Sequence, residues 1–182
     1  MSLADKLSVL RIILIPVFVS LLIYSKNYPY LKYFAIATFI LAVLSDFLDG
    51  LAARIKKEKS EIGQVIDPLA DKLFLLTSCV VLYLLKFPIP LVFVLVVVSR
   101  DFIILLGIGV LHFMKIDAPI NPTLWGKLTT FFQMLTILCI LFEWPFSLWM
   151  VRIAILFTLI SGLGYIHRGI IALNQEVART RI

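Results

Sequence analysis

Apolar runs long enough to cross a bilayer alternate along this chain with short, polar or proline-bearing breaks. A hydrocarbon core takes about 20 apolar residues in helical form. Six segments fall in or above the workable range of roughly 17–25 residues: 7–24, 31–54, 64–86, 89–114, 124–142 and 147–173. Asn27-Tyr28-Pro29, Phe87-Pro88, Pro119-Ile120-Asn121-Pro122 and Glu143-Trp144-Pro145 punctuate the connections, as turn-forming residues do. Pro16 is expected to kink the first helix, since it removes one backbone donor. The run after Lys6 is too long for the apolar stretch of a signal peptide, and no A-x-A-like site follows it, so it reads as a retained helix. The pattern predicts a single all-α integral membrane domain over residues 1–182 with six transmembrane helices.

Composition agrees. Hydrophobic residues make up 62% of the chain and charged residues 15%, with a mean hydropathy of +1.05, far from a soluble domain. The net charge of +6 could attract nucleic acid, but no basic amphipathic surface carries it, so no nucleic-acid partner is expected. Loop charge accounts for it instead. With six spans, one side of the membrane collects Lys6, Arg54, Lys56, Lys57, Lys59, Lys115, Arg179 and Arg181, with Arg11, Lys127 and Arg168 near it. The other has Lys26, Lys32, Lys86 and Arg152. The positive-inside rule then places both termini in the cytoplasm, and a bacterial inner membrane is the expected location. Cys79 and Cys139 are isolated in apolar stretches and read as packing residues. His112 and His167 read as core or interfacial packing, and Trp125, Trp144 and Trp149 as an aromatic belt.

The chemistry lies in four aspartates at the edge of the bilayer. Asp46 and Asp49 are three residues apart, Asp67 and Asp71 four, so each pair shares one helical face. A carboxylate at the centre of a bilayer costs about 2.5–3.5 kcal/mol on insertion scales, and four together repel unless cations lie between them. Hard divalent ions with oxygen ligands are the natural partners. Such a pair of ions can clamp a diphosphate and stabilise a leaving phosphate. Gly50, Ala53 and Gly63 let backbone approach a bulky ligand, and Arg54 has the planar fork that suits phosphate. One carboxylate can accept a proton from an attacking hydroxyl. The expectation is a cytoplasm-facing polar cavity with a carboxylate metal site.

The string Asp46-x2-Asp49-Gly50-x2-Ala53-Arg54-x8-Gly63-x3-Asp67-x3-Asp71 places eight fixed positions within 26 residues. It resembles the CDP-alcohol phosphotransferase motif at every one of them. The resemblance extends over nearly the whole chain, including an opening helix of the form Ser8-x2-Arg11-x4-Pro16. It implies that Asp46, Asp49, Asp67 and Asp71 surround two ions, Mg²⁺ or Mn²⁺, and that Asp71 is the general base. It further implies that Asp49, Gly50, Ala53, Arg54, Ser60 and Gly63 line a cytidine diphosphate site. CDP-diacylglycerol would be the donor, CMP the leaving group, and the protein a homodimer.

Two branches differ in the acceptor. Phosphatidylglycerophosphate synthases typically carry a second arginine eight residues after the first in the fourth helix, and G-K-x-K-T at the start of the fifth. This chain keeps Arg100, Gly126 and Lys127 but has Ile108 and Thr129 where the other cations would stand. The segments Phe87-Pro88-Ile89-Pro90, Ser99-Arg100-Asp101 and Asn121-Pro122-Thr123 through Lys127 to Gln133 look more like eukaryotic-type cardiolipin synthases. Phosphatidylglycerol is therefore the expected acceptor, with glycerol 3-phosphate as the alternative, and Arg100 and Lys127 are the expected acceptor-binding residues. Plainer readings stand beside these. The aspartates can be helix-end carboxylates paired with Lys72 and the 56–59 lysines, or mark an ion or proton pathway. Arg100 can sit in a structural ion pair, although Asp101, adjacent in sequence, is not expected to share its face, and Lys127 can snorkel to the headgroups.

Overall fold

The computed structural model describes the backbone of residues 3–56, 61–113 and 124–179, and within them the side chains of 6–46, 70–107, 109, 124–171 and 173–174. Among these residues the chain forms six α-helices: α1 Leu3–Tyr24, α2 Leu31–Lys56, α3 Glu61–Leu84, α4 Leu91–Phe113, α5 Leu124–Leu141 and α6 Ser147–Arg179. Three of them hold segments long and apolar enough to cross a membrane, Lys6–Tyr24, Leu124–Leu141 and Ser147–Ile171. Large apolar side chains such as Ile13, Phe34, Val92, Phe102 and Leu163 lie exposed, as a surface against lipid would require. The helix α1 continues through Pro16. At 33 residues, α6 is about 50 Å long at 1.5 Å per residue, more than a bilayer core needs.

The chain divides into two compact units, 1–89 with 137–147, and 90–136 with 148–182. In the first, α1 packs against both α2 and α3. Its centre is an aromatic triad: Phe18, Phe39 and Phe74 are buried, with ring centroids 5.4–5.7 Å apart. The same helical faces carry polar residues further along. Arg11 precedes Phe18 by seven residues, Asp46 follows Phe39 by seven, and Asp71 precedes Phe74 by three. At 3.6 residues per turn each lies on its phenylalanine's side of the helix. Apolar packing of three faces therefore brings an arginine and two aspartates to one place.

Both α3 and α5 end in a left-handed residue that is not glycine, Lys86 (φ 63°) and Glu143 (φ 55°). The amide of Phe87 donates to the Leu82 carbonyl and that of Trp144 to the Cys139 carbonyl, each at 3.0 Å, the bond that closes a Schellman cap. Pro88 and Pro145 follow and stop the helices. Lys32 Nζ joins the two caps, pairing with Glu143 Oε1 at 2.5 Å and lying 5.9 Å from the Phe87 ring centroid.

In the second unit, α5 and α6 are held by aromatic and polar contacts. Phe132 stacks on Phe157 at 4.6 Å. Gln133 Nε2 donates to Thr158 Oγ1 at 2.9 Å, and that hydroxyl donates to the Ala154 carbonyl at 2.6 Å. An interhelical polar contact such as the Gln133–Thr158 bond is worth about 0.6 kcal/mol on average in membranes. Cys79 and Cys139 are buried free thiols, in keeping with packing roles. Trp125, Trp144 and Trp149 are exposed near helix ends, as a belt requires. His167 is also exposed rather than in the core; His112 lies outside the described side chains.

Candidate active site

Arg11 is the hinge of the aspartate site. Its Nη1 donates to Asp46 Oδ1 at 3.1 Å and ion-pairs with Asp71 Oδ1, while Nη2 donates to Ser8 Oγ at 3.1 Å. The guanidinium side chain is 2% exposed, against 38% for Asp46 and 26% for Asp71. A buried cation is costly unless paired and hydrogen-bonded, and here two helices supply the counter-charges. The exposure difference sets Arg11 on the interior side of the carboxylates and leaves part of each open.

Two carboxylates from separate helices, converging and half-open, are a donor set that fits a hard divalent cation. Among the described residues no group of three or more His, Cys, Asp or Glu side chains lies together. Asp49 follows Asp46 by three residues in α2 and Asp67 precedes Asp71 by four in α3, the spacing that keeps each pair on one face. The side chains of Asp49 and Asp67, and those of Ala53 and Arg54, lie outside the described residues, as do Ser60 and any contact at Gly50 and Gly63. Charge counting treats Arg11 as a topology signal. Its position on the Phe18 face, with Ser8 three residues before it, is the signal that sets it against the aspartates.

In the second unit, Arg100 is buried. Its Nη1 donates to Asp101 Oδ1 at 2.6 Å, and its Nη2 to Ser161 Oγ at 3.0 Å. This corrects the expectation that Asp101 could not reach it: the long, flexible arginine turns back to its neighbour. The Arg100 guanidinium lies 5.6 Å from the Tyr165 ring centroid, and that of Arg168 lies 5.0 Å from the same centroid, both within cation–π range. Sequence reading missed Ser161, Tyr165 and Arg168 as a set, although their spacing of four and three residues marks one face of α6. Lys127 is exposed near the start of α5. Thr129 is fully buried, its hydroxyl 2.8 Å from the Trp125 carbonyl and 2.9 Å from the Phe157 carbonyl, so position 129 is an α5–α6 packing site. The side chain of Ile108 lies outside the described residues.

Comparison with known proteins agrees with the motif. Residues 1–160 match the family described as CDP-alcohol phosphatidyltransferase. A probable phosphatidylglycerophosphate synthase of Mycobacterium tuberculosis is 32% identical over 178 residues, covering 93% of this chain and 82% of that protein. The CDP-diacylglycerol–glycerol-3-phosphate 3-phosphatidyltransferase of Bacillus subtilis is 28% identical over 204 residues, covering 98% of each. A protein of the same description from Rickettsia prowazekii is 35% identical over 134 residues, covering 73% of this chain and 71% of that protein.

Proposed function

This chain belongs to the CDP-alcohol phosphatidyltransferase family, and we propose that it transfers the phosphatidyl group of CDP-diacylglycerol to glycerol 3-phosphate, releasing CMP. An acceptor hydroxyl oxygen bonds to the phosphorus that carries the diacylglycerol, the bond from that phosphorus to CMP breaks, and the hydroxyl proton passes to Asp71. Asp46, Asp49, Asp67 and Asp71 would hold two divalent ions, Mg²⁺ or Mn²⁺, which when bound supply charge neutralisation for the diphosphate. Asp49, Gly50, Ala53, Arg54, Ser60 and Gly63 would hold the cytidine diphosphate. All six helices would span the membrane of a homodimer, with both termini and a polar cavity on the cytoplasmic side of a bacterial inner membrane. Family membership leaves no role for the ion-pathway reading.

The acceptor reading moves from phosphatidylglycerol to glycerol 3-phosphate on one observation: relatives that match most of the chain, in Bacillus subtilis and Rickettsia prowazekii, are named for glycerol 3-phosphate as acceptor. The case for phosphatidylglycerol, and so for cardiolipin synthesis, rests on cations missing at 108 and 129. Arg168 is a cation outside that count. Thr129, buried and bonded to backbone carbonyls, belongs to helix packing, so a lysine missing there does not weaken a ligand site. A phosphate monoester carries nearly two charges at neutral pH; Arg100 is already paired with Asp101, so Arg168, exposed beside the Tyr165 ring, is the cation added to that count. The names of the related proteins in Mycobacterium tuberculosis and Bacillus subtilis support the same acceptor. Lys127 is a further candidate to bind it.

Arg100→Ala and Arg168→Ala are each expected to raise KM for glycerol 3-phosphate at least tenfold, since a charged hydrogen bond is worth about 1.5–3 kcal/mol. KM for CDP-diacylglycerol should change little. Steady-state kinetics with each substrate varied in turn checks this. Equal effects on both substrates would remove these arginines from the acceptor site.

A further inference from the structure

We propose that Arg11 is a positioning residue for the metal site: it fixes the Asp46 and Asp71 carboxylates from two different helices into one ligand pair. The inference rests on reading the aspartates as divalent-cation ligands. Two other roles for Arg11 fit the geometry poorly. A topology charge belongs at the membrane surface, yet this side chain is 2% exposed. A direct phosphate ligand would lie on the open side of the site, yet this guanidinium lies on the interior side of both carboxylates, which are far more exposed than it is.

The contacts instead have the form of the outer-shell bonds that orient metal-binding carboxylates. Each carboxylate meets the guanidinium through Oδ1. Asp71 Oδ1 is itself buried, which leaves the Oδ2 atoms for a cation on the more exposed side. Without Arg11, Asp46 on α2 and Asp71 on α3 would repel and relax apart, and an incoming ion would have to gather them. Ser8, one turn earlier on α1, holds the second guanidinium nitrogen, so the fork keeps one orientation. A positive charge beside a cation also works against binding. The two effects have opposite signs, which makes the direction of change decisive.

The test is Mn²⁺ binding to detergent-purified protein without substrate, read from the electron paramagnetic resonance signal of free Mn²⁺. Arg11→Met is expected to weaken binding about 10–100-fold, the usual loss when an outer-shell partner is removed. Arg11→Lys, which keeps the charge but not the fork, should recover part of it. Ser8→Ala should shift in the same direction by less. Arg11→Lys and Ser8→Ala retain a cation beside the aspartates, so they carry the test even if Arg11→Met does not fold. Unchanged or tighter Mn²⁺ binding in those two variants, with wild-type protein binding normally, would overturn the positioning role alone. Wild-type protein that binds no Mn²⁺ would overturn the metal reading and this inference with it.

Discussion

Asp71→Asn is expected to lower turnover by about 100- to 10,000-fold, the usual contribution of a general base, with a smaller loss of affinity for CDP-diacylglycerol from weakened metal binding. A base acts on the proton released in the transition state, so its loss appears in kcat more than in binding. The fold should survive the change. Arg11 would still pair with Asp46 at 3.1 Å and with Ser8 at 3.1 Å, so the buried guanidinium is not orphaned. The Phe18–Phe39–Phe74 packing beneath it is untouched. Asp46→Asn and Asp67→Asn should differ, losing metal and nucleotide binding together. Near-normal turnover in Asp71→Asn would place the base elsewhere.

Removal of divalent metal is the second large effect. Asp46, Asp49, Asp67 and Asp71 carry four negative charges within 26 residues, and Arg11 offsets one of them. Two like unit charges 4 Å apart repel by about 4 kcal/mol at an effective dielectric constant of 20. A negatively charged diphosphate cannot approach such a group without cations. Excess chelator should therefore reduce CMP release to background, and Mg²⁺ or Mn²⁺ should restore it. Full activity in excess chelator would rule out the two-metal site.

The helices were legible from hydropathy because long apolar runs alternate with breaks bearing proline and asparagine, which stop a helix. Their ends were less so. The apolar run stops near residue 173, but α6 continues to Arg179 through Asn174, Gln175 and Glu176. Hydropathy reports where an apolar run ends, whereas Gln and Glu sustain a helix beyond it. Likewise α3 begins at Glu61, before its apolar run. The aspartate spacing was legible because acids three and four residues apart share one face of a helix, and the structure brings Asp46 and Asp71 to one arginine. What joins them was not. Arg11, Asp46 and Asp71 meet only when three helical faces pack, and nothing local in the sequence states that an arginine on α1 will close the site. Arg100 shows the same limit in reverse. Side-chain length lets it reach Asp101, which helical-wheel reasoning excludes. Thr129 reads as a missing cation only by alignment, and its burial between α5 and α6 shows why that comparison misleads.

The choice of acceptor tests the account most directly. Purified protein would be given radiolabelled CDP-diacylglycerol with glycerol 3-phosphate and phosphatidylglycerol together, and the lipid products separated by thin-layer chromatography. Phosphatidylglycerophosphate should dominate, with CMP released in step and no label accumulating when glycerol 3-phosphate is omitted. Cardiolipin as the main product, or label transferred to phosphatidylglycerol alone, would contradict it.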